Sequence, residues 1–143
     1  MTLNKKIDIC EPIDQLKLYG YEDYFRSFEV LYKRNKLPNA ILLSGPKGLG
    51  KSTFAYHFIN YLLSQSETNK YSLEKFIINE NSSTLKSIQN HIHPNFFLLE
   101  NNLSEENIKI SQVRDLLNFL GKSTYSRDIK IVLLDNAEYL NPN

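Results

Sequence analysis

Short apolar runs alternate along the chain with stretches in which apolar residues follow helical spacing. Continuous apolar runs at 40–44, 95–100 and 128–135 predict three buried strands. Helical spacing predicts helices within 21–38, after residue 50, and over 111–121, where Ser111 would cap the start and Gly121 would close the end. Alternation of strand and helix favours an α/β fold with a parallel sheet.

Two stretches carry a weaker pattern. Residues 1–17 are predicted to be a loosely structured lead-in, with Pro12 as a breaker. Residues 64–90 are polar and rich in Ser and Asn, which indicates an insertion or loop, although the spacing allows a short helix around 73–78. We therefore expect the domain to begin at residue 18, with 64–90 as an insertion or loop within it.

The turn after the first predicted strand carries the clearest chemistry. It reads GPKGLGKS, residues 45–52, and matches G-x-x-x-x-G-K-[ST] in full. Glycines let the backbone N–H groups converge on an anion at a helix N-terminus, Lys51 would add a positive charge, and the Ser52 hydroxyl can bind Mg²⁺. The alternative is a glycine-rich turn with a solvated lysine.

A second element completes this pattern. The apolar run IVLL is followed by Asp135 at the end of a predicted strand. In P-loop proteins an aspartate at this position holds Mg²⁺ directly or through water. We expect Mg²⁺ at Ser52 and Asp135, and we assign no catalytic residue. The predicted nucleotide contacts are Gly45, Pro46, Lys47, Gly48, Leu49, Gly50, Lys51, Ser52 and Thr53.

The composition indicates a general class of protein but not a particular function. The 143 residues are 41% hydrophobic and 23% charged, which is typical of one soluble globular domain. A net charge of +1 without a dense basic run gives no reason to expect direct nucleic-acid binding. The single cysteine, Cys10, excludes an internal disulfide framework. No secretory signal or membrane span is evident, so we expect a cytoplasmic protein without a membrane partner.

Three blocks of sequence then resemble a known family. They are LPNAILLSGPKGLGKSTFAYHFINYLL, HPNFFLLE and IKISQVRDLLNFLGKSTYSRDIKIVLLDNAEYLN, in the order typical of bacterial clamp-loader subunits of the AAA+ family. The resemblance implies an incomplete AAA+ P-loop domain over 18–143, binding ATP and Mg²⁺. It also implies a hetero-oligomeric clamp loader of DNA polymerase III that opens a sliding clamp onto primer-template DNA. Leu18, Tyr19 and Gly20 match the segment that lies near the adenine in relatives.

The chain departs from this family at the residue after Asp135. Relatives that hydrolyse ATP have glutamate there as the general base, whereas this chain has Asn136. A neutral amide cannot accept a proton, and loss of a general base typically costs about 10²- to 10⁴-fold in rate. Glu138 lies past the end of the strand and is expected to point elsewhere. We therefore expect weak or absent hydrolysis; the alternative is that another group positions the water.

Zinc is not expected either. Many relatives carry a four-cysteine zinc module between the first helix and the second strand, and residues 64–90 contain no cysteine. His91 and His93 form an H-x-H pair, but no third ligand is evident nearby. We interpret the two histidines as a pair in a loop or at a strand edge.

In the family, a further strand follows the last residue of this sequence and separates the strand before Gly45 from the strand ending at Asp135. We therefore expect two unpaired edges with exposed apolar residues, and residues 1–143 alone to be unstable or prone to aggregation. A self-standing P-loop ATPase or small kinase is the main alternative, although Arg26, Arg34, Arg114 and Arg127 form no evident lid pattern. A third possibility is an α/β interaction module whose glycine turn is vestigial.

Overall fold

The computed structural model describes residues 10–100, 109–124 and 129–136. These residues form four α-helices and two β-strands, in the chain order α1 (Glu22–Lys33), α2 (Lys51–Leu63), α3 (Ser83–Gln89), β1 (Phe96–Glu100), α4 (Ile110–Gly121) and β2 (Ile131–Asp135). The predicted α/β class is confirmed, as are the helices at 22–33, 51–63 and 110–121 and the strands at 96–100 and 131–135.

The sheet places the two strand ends side by side. β1 and β2 are parallel, with Phe96 opposite Ile131 and Glu100 opposite Asp135. The ring of Phe96 contacts Tyr56 of α2, whereas the ring of the next residue, Phe97, contacts Phe119 of α4. Because successive side chains of a strand point to opposite faces, α2 covers one face of the pair and α4 the other.

One predicted strand is wrong. Ala40–Ser44 forms no strand within the described part of the chain, and Ile41 and Leu42 are 43% and 83% exposed. A strand needs a neighbour to pair its backbone groups, and within the described residues β1 and β2 pair only with each other. Exposed apolar residues occur as expected at Ile41, Leu42 and Leu134, but 40–44 forms no strand and therefore no unpaired strand edge.

The main core lies between α1, α2 and the segment after α2. Phe25 of α1 is fully buried, and its ring contacts five aromatic side chains, those of Phe54, Phe58, Tyr61, Tyr71 and Phe76. Such aromatic pairs add about 0.5–1.5 kcal/mol each beyond the burial of their area. This cluster holds α2, and with it the glycine turn, against the rest of the domain.

Residues 64–90 are more ordered than their polar composition predicts. They contribute Tyr71, Phe76, Ile78 and Leu85 to the main core. The short helix that the spacing allowed around 73–78 is absent: Ser72 and Ile77 form an antiparallel bridge there, and the helix of this segment is α3. Its apolar residues do not follow one periodicity because a turn, a bridge and a helix each supply a few of them.

A single carboxylate holds the start of α3. Glu67 accepts hydrogen bonds from the hydroxyls of Ser82, Ser83 and Thr84 and from the backbone N–H groups of Ser83 and Thr84. Burial by itself would raise the pKa of Glu67, but the hydrogen bonds from Thr84, Ser83 and Ser82 outweigh it and lower the pKa. An acidic group at a helix N-terminus is also favoured by the helix dipole.

The start of the described chain packs onto this same segment. Leu18 donates its backbone N–H to Phe76, and Ile78 donates to Leu16, at 3.0 and 2.9 Å. Leu18 is buried in the main core, and Ile13 packs against the smaller cluster around Ile88. Residues 13–18 therefore contribute to the core.

The start of α4 differs from the prediction. Ser111 lies inside the helix, and the residue at the N-cap position is Lys109. Gln112 Oε1 accepts from the Lys109 backbone N–H at 2.9 Å, so Gln112 rather than Ser111 caps the start of the helix. Gly121 does end the helix as predicted.

His57 links α2 to its neighbours from inside the core. It is fully buried, with Nε2 2.8 Å from the Gln15 carbonyl and Nδ1 3.0 Å from the Tyr71 hydroxyl. Because a carbonyl only accepts, Nε2 carries the proton and Nδ1 accepts from Tyr71. Burial lowers the pKa of His57 from 6.5 to about 4, against the raising effect of the Gln15 hydrogen bond.

This histidine makes the domain sensitive to acid. His57 binds its proton at higher pH in the unfolded chain than in the folded chain. Its neutral form therefore contributes fully to the free energy of unfolding above pH 6.5, and this contribution is lost as the pH falls towards 4. We expect a loss of at most about 3 kcal/mol across this window. The free energy of unfolding, measured from pH 7 to pH 4, should depend less steeply on pH in His57→Gln than in the wild type. His91→Gln should keep the slope of the wild type. Equal slopes in all three proteins would contradict the assignment.

No helix in the described part of the chain is both long and apolar enough to cross a membrane.

Candidate functional site

The glycine turn forms a compact loop at the start of α2. Gly48 and Gly50 have φ angles of 85° and 80°, which side-chain-bearing residues adopt only with strain, and Gly50 is the N-cap of α2. The hydroxyl of Tyr21 donates to the Leu49 carbonyl and ties the loop to α1. Gly48 and Gly50 therefore adopt the positive φ angles for which the motif supplies glycines.

Lys51 lies folded back over the loop. Its Nζ donates to the carbonyls of Gly45 and Pro46, both at 2.8 Å. These two carbonyls hold the ammonium at the rim of the turn. Lys47, also predicted as a contact, is exposed on the same turn.

The next residue brings together two parts of the chain that are far apart in sequence. Ser52 Oγ donates to Asp135 Oδ1 at 3.1 Å, across 83 residues. The same Oδ1 of Asp135 also accepts a hydrogen bond from the Asn136 backbone N–H at 3.0 Å. A hydroxyl and a carboxylate in contact are oxygen ligands of the type that Mg²⁺ prefers, so the residues present fit this cation.

A small pocket adjoins the turn on the side of α1. Its volume is about 180 Å³. Leu18, which is buried, and Tyr19, which is 69% exposed, both contribute to its wall. The other lining residues are Gln15, Lys17, Tyr21, Gly48, Leu49, Gly50 and Thr53. The structure thus brings two of the three residues that the resemblance placed near the adenine, Leu18 and Tyr19, to the edge of the glycine turn together with Thr53.

Comparison with known proteins identifies the family. Residues 20–143 match the family model described as DNA polymerase III, delta subunit. The chain belongs to this family. It is 32% identical over 105 residues to DNA polymerase III subunit delta' of Pseudomonas aeruginosa, and the match covers 73% of this chain and 30% of that relative. The resemblance to clamp-loader subunits of DNA polymerase III is confirmed, and this relative is a delta-prime subunit.

In this member of the DNA polymerase III delta-subunit family, an acidic residue that the sequence analysis did not single out lies next to Asp135. Glu100 ends β1 directly opposite Asp135. Burial raises the pKa of Tyr56, and the negative charges of Asp135 and Glu100 raise it further. The signal was present in the sequence, since FFLLE and IVLLD are apolar runs of equal length that both end in a carboxylate.

Asn136 follows Asp135 at the edge of the site. Its φ is 55°, a left-handed conformation that asparagine tolerates better than most residues, and its side chain is exposed. Glu138 lies outside the described residues. The prediction that hydrolysis is weak remains a prediction.

The H-x-H pair lies in the loop before β1. His93 Nδ1 accepts from the Asn95 backbone N–H at 3.1 Å, which gives this ring a structural role in the loop. His91 is exposed and has a φ of 55°. Within the described residues, no group of three or more His, Cys, Asp or Glu residues is arranged to hold a metal ion.

Proposed function

We propose that this chain is part of a clamp-loader subunit that binds ATP and Mg²⁺ at the glycine turn and helps load a sliding clamp onto primed DNA. The observation that carries the proposal is the contact between Ser52 and Asp135 at the rim of that turn. Family membership supplies the replicative context, and the match to a delta-prime subunit supports a role within a hetero-oligomer.

The roles of the residues follow from their chemistry. The backbone N–H groups of the turn and the ammonium of Lys51 would hold the phosphates, and Ser52 and Asp135 would hold the cation. Bound Mg²⁺ neutralises phosphate charge. Leu18, Tyr19 and Thr53 would line the site of the base, since they border the pocket next to the turn.

Little hydrolysis is expected, because Asn136 cannot accept a proton from water. Nucleotide binding would then change how the subunit packs against its neighbours in the assembly. Contacts with the sliding clamp and DNA would come from the assembled loader, since the net charge of +1 offers no concentrated basic surface. The alternative of a self-standing ATPase or small kinase predicts rapid turnover instead.

ATP binding by the full-length protein tests the proposal. Lys51→Ala is expected to weaken binding about ten- to hundredfold, because a hydrogen bond to a charged group contributes about 1.5–3 kcal/mol. Isothermal titration with Mg²⁺ present measures the affinity. Lys70→Ala, which removes an exposed lysine of the 64–90 segment, is the matched control and should bind as the wild type does. A wild-type protein that binds no nucleotide, or a Lys51→Ala variant that binds equally well, would refute the proposal.

A further inference from the structure

The carboxyl ends of the two parallel strands place two acidic side chains on one face of the sheet. Phe96 and Leu98 of β1 pack in the cluster that includes Tyr56 and Ile59 of α2. Glu100 continues this alternation, since side chains two residues apart point to the same face. Its side chain therefore belongs to the face that α2 covers.

Asp135 occupies the same face of β2. Ile131 and Leu133 pack against the same α2 cluster, and Asp135 follows two residues later and contacts Ser52 of α2. Glu100 and Asp135 are direct partners in the register, and neighbouring strands lie about 4.8 Å apart. The two carboxylates thus stand side by side at the start of α2.

The position of Glu100 is held from the opposite side of the sheet. Gln112 of α4 donates its Nε2 hydrogen to the Glu100 backbone carbonyl at 3.1 Å. The raised pKa of Tyr56, to which both Asp135 and Glu100 contribute after burial, agrees with this placement. The Glu100 residue itself is exposed, so its carboxylate is accessible to a cation and its waters.

Two carboxylates directly opposite each other on neighbouring strands repel, and this is destabilising unless a positive charge lies between or beside them. Mg²⁺ in phosphate sites usually keeps several waters and takes one or two carboxylates together with the phosphates. We propose that Glu100 is the second carboxylate of the cation site. Ser52 and Asp135 would hold the Mg²⁺, and Glu100 would contact it through a water bound to the ion. The inference rests on the proposed nucleotide site and adds a residue to it.

The test compares ATP affinity with Mg²⁺ and with EDTA in the full-length protein. Glu100→Gln keeps the shape of the side chain and removes its charge. We expect the gain in affinity that Mg²⁺ provides to fall roughly three- to tenfold, since one charge is lost near a divalent ion. Affinity in EDTA should stay unchanged or improve, because a negative charge near the phosphates is gone; a merely structural loss would weaken both.

Glu74→Gln is the matched control, because Glu74 is also exposed and lies outside the site. It should keep the full effect of Mg²⁺. If Glu100→Gln retains the wild-type dependence on Mg²⁺, Glu100 is not part of the cation site, while the proposed nucleotide binding stands. If the wild type binds no nucleotide in either condition, the proposed function and this inference both fall.

Discussion

Replacing Asn136 with glutamate is expected to raise ATP turnover by the full-length protein about 10²- to 10⁴-fold, the range over which a general base contributes. Asn136 directly follows Asp135, whose Oδ1 contacts Ser52 at 3.1 Å. A carboxylate at this residue could accept the proton from the attacking water, which the native amide cannot do. Steady-state release of phosphate, with saturating ATP and Mg²⁺, measures the change.

Asn136→Gln is the matched control for this gain. Glutamine has the size of glutamate but accepts no proton, and both substitutions meet the same strain at the φ of 55°. We expect the Gln variant to turn over no faster than the wild type. If the wild type and the Glu variant hydrolyse ATP at equal rates, another group already activates the water and our interpretation of Asn136 is wrong.

Replacing Phe25 with alanine is expected to destabilise the domain by about 3–5 kcal/mol. The side chain is fully buried between five aromatic rings, so its removal leaves a cavity that these rigid groups cannot close. Amide hydrogen exchange of peptides from α1 and α2 in the full-length protein measures the local loss.

The neighbouring residue provides the control for Phe25. Tyr24 is also aromatic and lies on the same helix, but it is 66% exposed. Tyr24→Ala should change the free energy of opening by no more than about 0.5 kcal/mol. Equal losses of protection in the two variants would mean that burial of the Phe25 ring is not what stabilises α1 against α2.

The predictable elements were those whose signals are local. α2 was predicted because helical spacing continues from Phe54 to Leu62 directly after the glycine turn. β2 was predicted because an apolar run ends at Asp135. In both cases neighbouring residues already specify the backbone conformation, so the element forms as its own pattern indicates.

The predictions that were wrong depend on contacts between distant parts of the chain, which a local sequence pattern does not specify. Ile41 and Leu42 have the composition of a buried strand, but a strand is stable only when a neighbour accepts its hydrogen bonds, and these residues remain exposed. Residues 64–90 show the reverse case. Tyr71 and Phe76 are buried despite polar surroundings in the sequence, because each packs against Phe25 from a separate turn of the chain.

By itself the sequence determined the family and the α/β class. It also identified the glycine turn with Lys51 and Ser52, and Asp135 as a candidate Mg²⁺ ligand, since each of these depends on a short pattern of residue types. Only the tertiary structure decided that Ser52 and Asp135 touch, that Glu100 stands beside Asp135, and that 40–44 has no partner. The physical reason is that strand register and helix packing join residues up to 83 positions apart, and no local pattern contains that information.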